Sequence, residues 1–177
     1  MPDLPDLDGL TRYDDRLRGV ARDPGAVEDA LAAARAALSH APAAARPRLL
    51  GYVGNALRLL ARHDEAVAAH REAVAAAEPG TRAALAARIR LGEALRCADE
   101  LEEAERELGA AAEAAREMGA LLDFALQHLG KTLLDAGRTA EAVPLLEEAL
   151  ALRERGGDAA LVASTCAALE RARDLRG

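Results

Sequence analysis

Aromatic residues are nearly missing from this chain: Tyr13, Tyr52 and Phe124 are all it has, and there is no tryptophan. Base-stacking platforms are therefore scarce. Together with a net charge of -7, this argues against a general nucleic-acid binder. Lysine is just as rare. Lys131 is the only one, and arginine supplies the remaining positive charge. The Ala/Arg bias reads first as a GC-rich coding habit and only second as function. Two cysteines, Cys97 and Cys166, stand far apart with no CxxC, so neither a disulfide framework nor a zinc site is expected. Valine and isoleucine are sparse, and apolar and polar residues do not alternate over any useful window, which excludes a sheet-based fold. No apolar run approaches membrane-spanning length. The start, Met1-Pro2-Asp3-Leu4-Pro5-Asp6, is acidic and broken by proline, without a charged n-region or an apolar h-region. No secretory signal is expected from it, and the location expected is cytoplasmic.

What the chain has in abundance is alanine and leucine, both strong helix formers. Breakers cut it into helix-length pieces. Asp23-Pro24 reads as an N-cap followed by proline at the first helical position. Pro79-Gly80-Thr81, Gly119 and Gly156-Gly157-Asp158 read as stops and caps. These signals predict about nine helices, near 10–21, 24–39, 46–61, 64–78, 82–98, 101–118, 120–136, 140–155 and 158–174.

Three helix pairs repeat one another. Val53-Gly54-Asn55-Ala56-Leu57 is followed by Asp64-Glu65-Ala66-Val67. Leu91-Gly92-Glu93-Ala94-Leu95 is followed by Glu102-Glu103-Ala104-Glu105, and Leu129-Gly130-Lys131-Thr132-Leu133 by Ala140-Glu141-Ala142-Val143. Gly54, Gly92 and Gly130 are 38 residues apart, as are Ala66, Ala104 and Ala142. Antiparallel helices approach to about 8–10 Å only where small residues sit at the crossing. A helical glycine costs about 1 kcal/mol, so its return at one register implies a packing reason. Leu108 and Leu146 fill the space beside the glycines from the second helices, and His70 stands at their register in the first pair. Ala61 and Asp99 stand where Gly137 separates the helices of the third pair.

This pattern, L-G-x-A-L followed by x-E-A and a later alanine, resembles the tetratricopeptide repeat, whose usual period is about 34 residues. The third unit, with Pro144 near the start of its second helix, is similar to the kinesin-light-chain-like subtype. The resemblance implies an all-α fold, a right-handed α-solenoid of antiparallel helix pairs. It divides the chain into a degenerate leading helix pair (1–45), three repeats (46–157) and a C-terminal capping helix (158–177). It also implies a protein- or peptide-binding adaptor or scaffold. A peptide-sensing regulatory domain and a self-associating structural module are the alternatives.

In such arrays the first helices line a concave groove. Carrying over the exposed registers places Arg48, Tyr52, Asn55 and Arg58 there from the first unit. Ile89, Arg90, Glu93 and Arg96 follow from the second, then Phe124, Gln127, His128, Lys131 and Asp135 from the third. Their basic members outnumber the acidic ones, which suits acidic or carboxylate-bearing ligands. Glu93 stands where a carboxylate clamp needs asparagine, so that activity is not assigned. No HExxH, GxSxG, GxGxxG or Walker pattern occurs. No catalytic residue, metal or cofactor is expected, and the chain reads as no enzyme. The expected partner is another protein or a peptide, with no nucleic acid and no membrane. A homo-oligomer is compatible with the sequence but not indicated by it.

Overall fold

The computed structural model describes residues 4–176. Residues 1–3 and Gly177, the extremes of the expected leading and capping segments, lie outside the described residues. Eight α-helices follow one short hairpin among the described residues. Strands β1 (Thr11–Tyr13) and β2 (Gly19–Ala21) come first, then α1 (Pro24–Ser39) and a 3₁₀ turn at Ala43–Ala45. After it come α2 (Arg46–Leu59), α3 (His63–Ala76), α4 (Arg82–Cys97), α5 (Leu101–Met118), α6 (Leu122–Asp135), α7 (Thr139–Gly156) and α8 (Ala159–Asp174). The helix ends follow the sequence signals. Asp23, Thr81 and Asp158 cap α1, α4 and α8 with their side-chain oxygens. Pro144 sits inside α7 at its sixth residue, where the missing N–H leaves the Ala140 carbonyl without its helical partner.

The helix expected at 10–21 is instead the hairpin, antiparallel with Thr11 opposite Ala21 and Tyr13 opposite Gly19. The physical reason lies in the turn. The Asp14 carboxylate accepts from the backbone N–H of Arg16 (3.0 Å) and Arg18 (2.8 Å), and Leu17 takes a left-handed φ of 56°. Such a local Asx network competes with a helix for the same N–H groups.

The three repeats are built as their spacing predicts. α2 packs on α3, α4 on α5 and α6 on α7, and each pair stacks on the next. A Cβ at Gly54 would lie 2.5 Å from His70 Nε2, and one at Gly130 would lie 2.6 Å from Leu146 Cγ. One at Gly92 would overlap Leu108 Cγ. The glycines are thus contact points where a second-helix side chain lies against first-helix backbone. The turn within each pair also repeats. Ala61, Asp99 and Gly137 all take left-handed φ (57°, 59° and 75°). The next residue's N–H then donates back to Leu57, Leu95 or Leu133 (2.9, 3.0 and 2.8 Å). This is the helix stop that glycine usually makes, imposed on alanine and aspartate by the repeat geometry.

The second helices are tied together by ion pairs such as Arg71–Glu103 (2.9 Å) and Arg116–Glu148 (3.0 Å). The first helices α2, α4 and α6, with α8 beyond them, touch in sequence and form the inner row. Ala168 of α8, at the glycine register of a fourth unit, is fully buried against Leu133 and Leu146.

Candidate functional site

The inner row forms a groove, and the chain's own N-terminal segment runs along it. At one end Leu7 is buried in the core of α1 and α2 beside Val27, Leu31, Val53 and Leu57. The Tyr52 hydroxyl donates to the Pro5 carbonyl (2.7 Å). Midway, Arg58 reaches the Gly19 carbonyl (3.4 Å), and a Cβ on Gly19 would lie 2.9 Å from that guanidinium. At the far end Arg96 donates to the carbonyls of Arg16 and Leu17 (3.2 Å each). There Leu17 packs on the Leu133, Leu134 and Ala168 cluster.

Five of the expected groove residues have a different environment from the exposed one assigned to them: Ile89, Gln127 and Lys131 are buried, and so are two charged side chains that meet. The side chains of Arg96 and Asp135 are fully buried and paired at 2.9 Å. Asp135 also takes Arg171 (2.7 Å) and Arg16 (3.2 Å), so three guanidinium groups converge on one carboxylate. These cations hold the Asp135 carboxyl below the usual range although burial alone would raise it. Asp99 takes Arg16 as well (2.7 Å). The groove is closed here by the hairpin, and the register of Asp135 is buried in units one and two as well, at Leu59 and Cys97.

The expected residues outside this cluster border two open spaces. Arg48, Tyr52, Asn55 and Arg90 face residues 4–8 across a cleft of about 740 Å³. Arg48 and Arg90 are exposed at its rim. A second cavity, of about 380 Å³, brings together Asn55 and Arg58 from α2, Ile89, Arg90 and Glu93 from α4, and Phe124, Gln127, His128 and Lys131 from α6. Asp8 and Tyr13 bound it on the hairpin side, and Leu161 and Ser164 on the α8 side.

Its electrostatics are set by burial. Burial would raise the Glu93 carboxyl, but Arg58, 3.6 Å away, outweighs it and leads the groups that keep Glu93 ionised. His128 lies 3.9 Å from Glu93, yet burial drops its pKa to about 3, so it is neutral at pH 7. Lys131 is only 5% exposed. Burial, reinforced by Arg96, lowers its pKa to about 8. Gln127 donates to Ser164 at its carbonyl (3.3 Å) and hydroxyl (3.2 Å), and Phe124 lies 5.1 Å under the Arg153 guanidinium. Cys97, beside Arg58, is buried and its thiol is pushed up by desolvation. Such a thiol is a small core residue and not a nucleophile.

Sequence reasoning missed the residues that the hairpin brings in: Tyr13, Arg16 and Leu17. The signal was present in Gly19-Val20-Ala21 and the Asp14-Asp15 pair, a β-branched residue and turn formers where a helix needs an apolar stripe. Among the described residues no group of three or more His, Cys, Asp or Glu is arranged to hold a metal ion. No helix among them is long and apolar enough to cross a membrane.

The family model described as a tetratricopeptide repeat matches residues 125–156, from α6 through the end of α7. This segment is a tetratricopeptide repeat. Two solved structures carry the same fold across most of the chain. Crystal structures of nearly identical TPR-like repeats from a Podosopora anserina kinesin light chain candidate, one of them a single-site variant of the other, superpose with TM-scores of 0.63 and 0.64. Each is 17% identical, covering 86% of this chain and 88% or 87% of the other. No curated protein sequence matches the chain. At this identity the likeness is one of fold. The preceding pairs keep their glycines and left-handed turns at the same positions as the matched unit.

Proposed function

We propose that this tetratricopeptide array is a protein- or peptide-binding scaffold and not an enzyme, and that its concave groove prefers acidic or carboxylate-bearing segments. The observation that carries this reading is the groove's present occupant. Residues 4–22 lie in it as a short lead-in followed by the hairpin, held by side-chain donors (Tyr52, Arg58 and Arg96) on backbone carbonyls and by Leu7 and Leu17 in apolar clusters. Donors to carbonyls read any peptide, and the part of this surface left open is the cleft beside residues 4–8, where Tyr52, Arg48 and Arg90 lie. Arg48 and Arg90, exposed on the cleft rim, supply the charge preference.

The test is fluorescence anisotropy with labelled acidic and basic peptides of equal length. Acidic peptides should bind more tightly, and raising salt should weaken them, since exposed charges are screened over about 8–10 Å near physiological ionic strength. Equal binding of both sets with no salt dependence would remove the charge preference. No binding of either would remove the scaffold reading.

The peptide-sensing alternative gains support from one feature. The Lys131 cavity is bounded by the hairpin on one side and α8 on the other. A ligand there would touch both ends of the array, and so could couple occupancy to curvature.

A further inference from the structure

We propose that the Lys131 cavity is a binding site for a small organic monocarboxylate with an apolar body. This inference goes beyond the peptide-binding reading and stands without it, because its occupant is a small molecule seated at the Lys131 wall and not a peptide.

Lys131 is the anchor of this site. It is buried at the cavity wall, and among the described residues it has no carboxylate within ion-pair distance and no side-chain hydrogen bond. Its ammonium has only the Tyr13 ring, 5.9 Å away. The side chain is largely buried and its ammonium opens onto the cavity, where a charge without a counter-ion is costly and is normally paired. The nearby carboxylate is already engaged: Glu93 is taken by Arg58 at 3.6 Å. The missing partner is an anion.

Its charge follows from the walls. Arg58, Arg90 and Lys131 are cationic, Glu93 and Asp8 are anionic, and His128 is neutral at pH 7. One positive charge is left over, which a monoanion neutralises. A phosphate dianion would leave excess negative charge beside buried Glu93. A cationic ligand would add to the imbalance.

The body follows from the other walls. Ile89, Leu121, Phe124 and Leu161 present apolar surface to the same space. The volume of about 380 Å³ is near the lower end of small-molecule pockets, about 300–1,000 Å³. Bounded by Tyr13 and Asp8 at one side and by Ser164 at the other, it suits a compact molecule better than a through-running chain.

Benzoate and phenylacetate are the probes, with benzyl alcohol as the neutral and benzylamine as the cationic control, measured by titration calorimetry on the full chain. Both carboxylates should bind, and each control should bind at least about tenfold more weakly, the loss expected when one buried charge pair is not made. Lys131→Met, which keeps the length and apolar stem, should weaken carboxylate binding by a similar factor, and Lys131→Arg should retain it. Acidic-peptide binding, which depends on Arg48 and Arg90, should be unchanged in Lys131→Met. Carboxylate binding that survives in Lys131→Met, that the alcohol equals, or that is missing at about 10 mM ligand would overturn the proposal. Failure of peptide binding with carboxylate binding intact would instead remove the scaffold reading alone.

Discussion

Arg96 and Asp135 are paired at 2.9 Å with both side chains wholly excluded from solvent, and they join the fourth and sixth helices beneath the N-terminal hairpin. The pair is a structural hub. Arg96 holds the hairpin by two carbonyls, and Asp135 gathers Arg16 and Arg171.

Removing one partner of such a pair leaves the other buried and uncompensated. Asp135→Asn should therefore destabilise the protein by about 3–5 kcal/mol, read as a lower urea midpoint. The hairpin should loosen with it, so limited proteolysis should cut near Asp14–Leu17 sooner than in the parent protein. An unchanged midpoint would mean that Arg96 finds other partners.

The glycine register makes a prediction of opposite signs at two positions. Gly92→Ala places a Cβ onto Leu108 and should cost about 1–3 kcal/mol, as overpacked cores do. Gly109→Ala, in the next helix, meets nothing within 4 Å. It should stabilise by up to about 1 kcal/mol through helix propensity alone. Thermal midpoints moving in the same direction for both variants would contradict the packing assigned to the register.

His70 contributes to the loss of stability in acid. It is fully buried over Gly54, neither ring nitrogen has a partner, and burial, followed by Arg58, lowers its pKa to about 4. Its ordinary value is 6.5. Between these values the unfolded chain binds a proton that the folded chain refuses, so stability falls as pH drops from about 6.5 towards 4. Leucine stands at this register in the other two repeats. His70→Leu should therefore stabilise the protein, and its advantage should grow as pH is lowered through that window in urea titrations. Buried His128 has the same sign, so acid sensitivity should lessen without vanishing.

The repeats were legible in the sequence because their signal is steric and local: a small residue at the crossing, a large one facing it, and the interval repeated three times. Even the departures were visible, since Ala61 and Asp99 stand where Gly137 does and take its backbone conformation. The hairpin was not legible. Its helix-length segment between breakers invited a helix, whereas Asp14 bonded its neighbours' N–H groups instead. That miss carried over to the groove. The sequence pattern assigned Arg96 and Asp135 to exposed registers, whereas the hairpin and Arg171 of α8 together enclose them in one buried cluster. Lys131 lay at a legible register, but its isolation from any carboxylate depends on Glu93 turning to Arg58, which no spacing rule encodes.

The central claim is that the concave face, and not the convex one, receives the partner. The most direct measurement compares two charge reversals for binding of one labelled acidic peptide by anisotropy. Arg48→Glu with Arg90→Glu alters the cleft rim, and Arg71→Glu with Arg116→Glu alters the second-helix face. The account predicts that the first pair abolishes binding with a nearly unchanged thermal midpoint, since exposed substitutions usually shift stability by no more than about 0.5 kcal/mol. It predicts that the second pair, which also breaks exposed ion pairs worth about 1 kcal/mol or less each, leaves the affinity intact. Binding that survives the first reversal and is lost in the second would place the partner on the convex face and contradict the account.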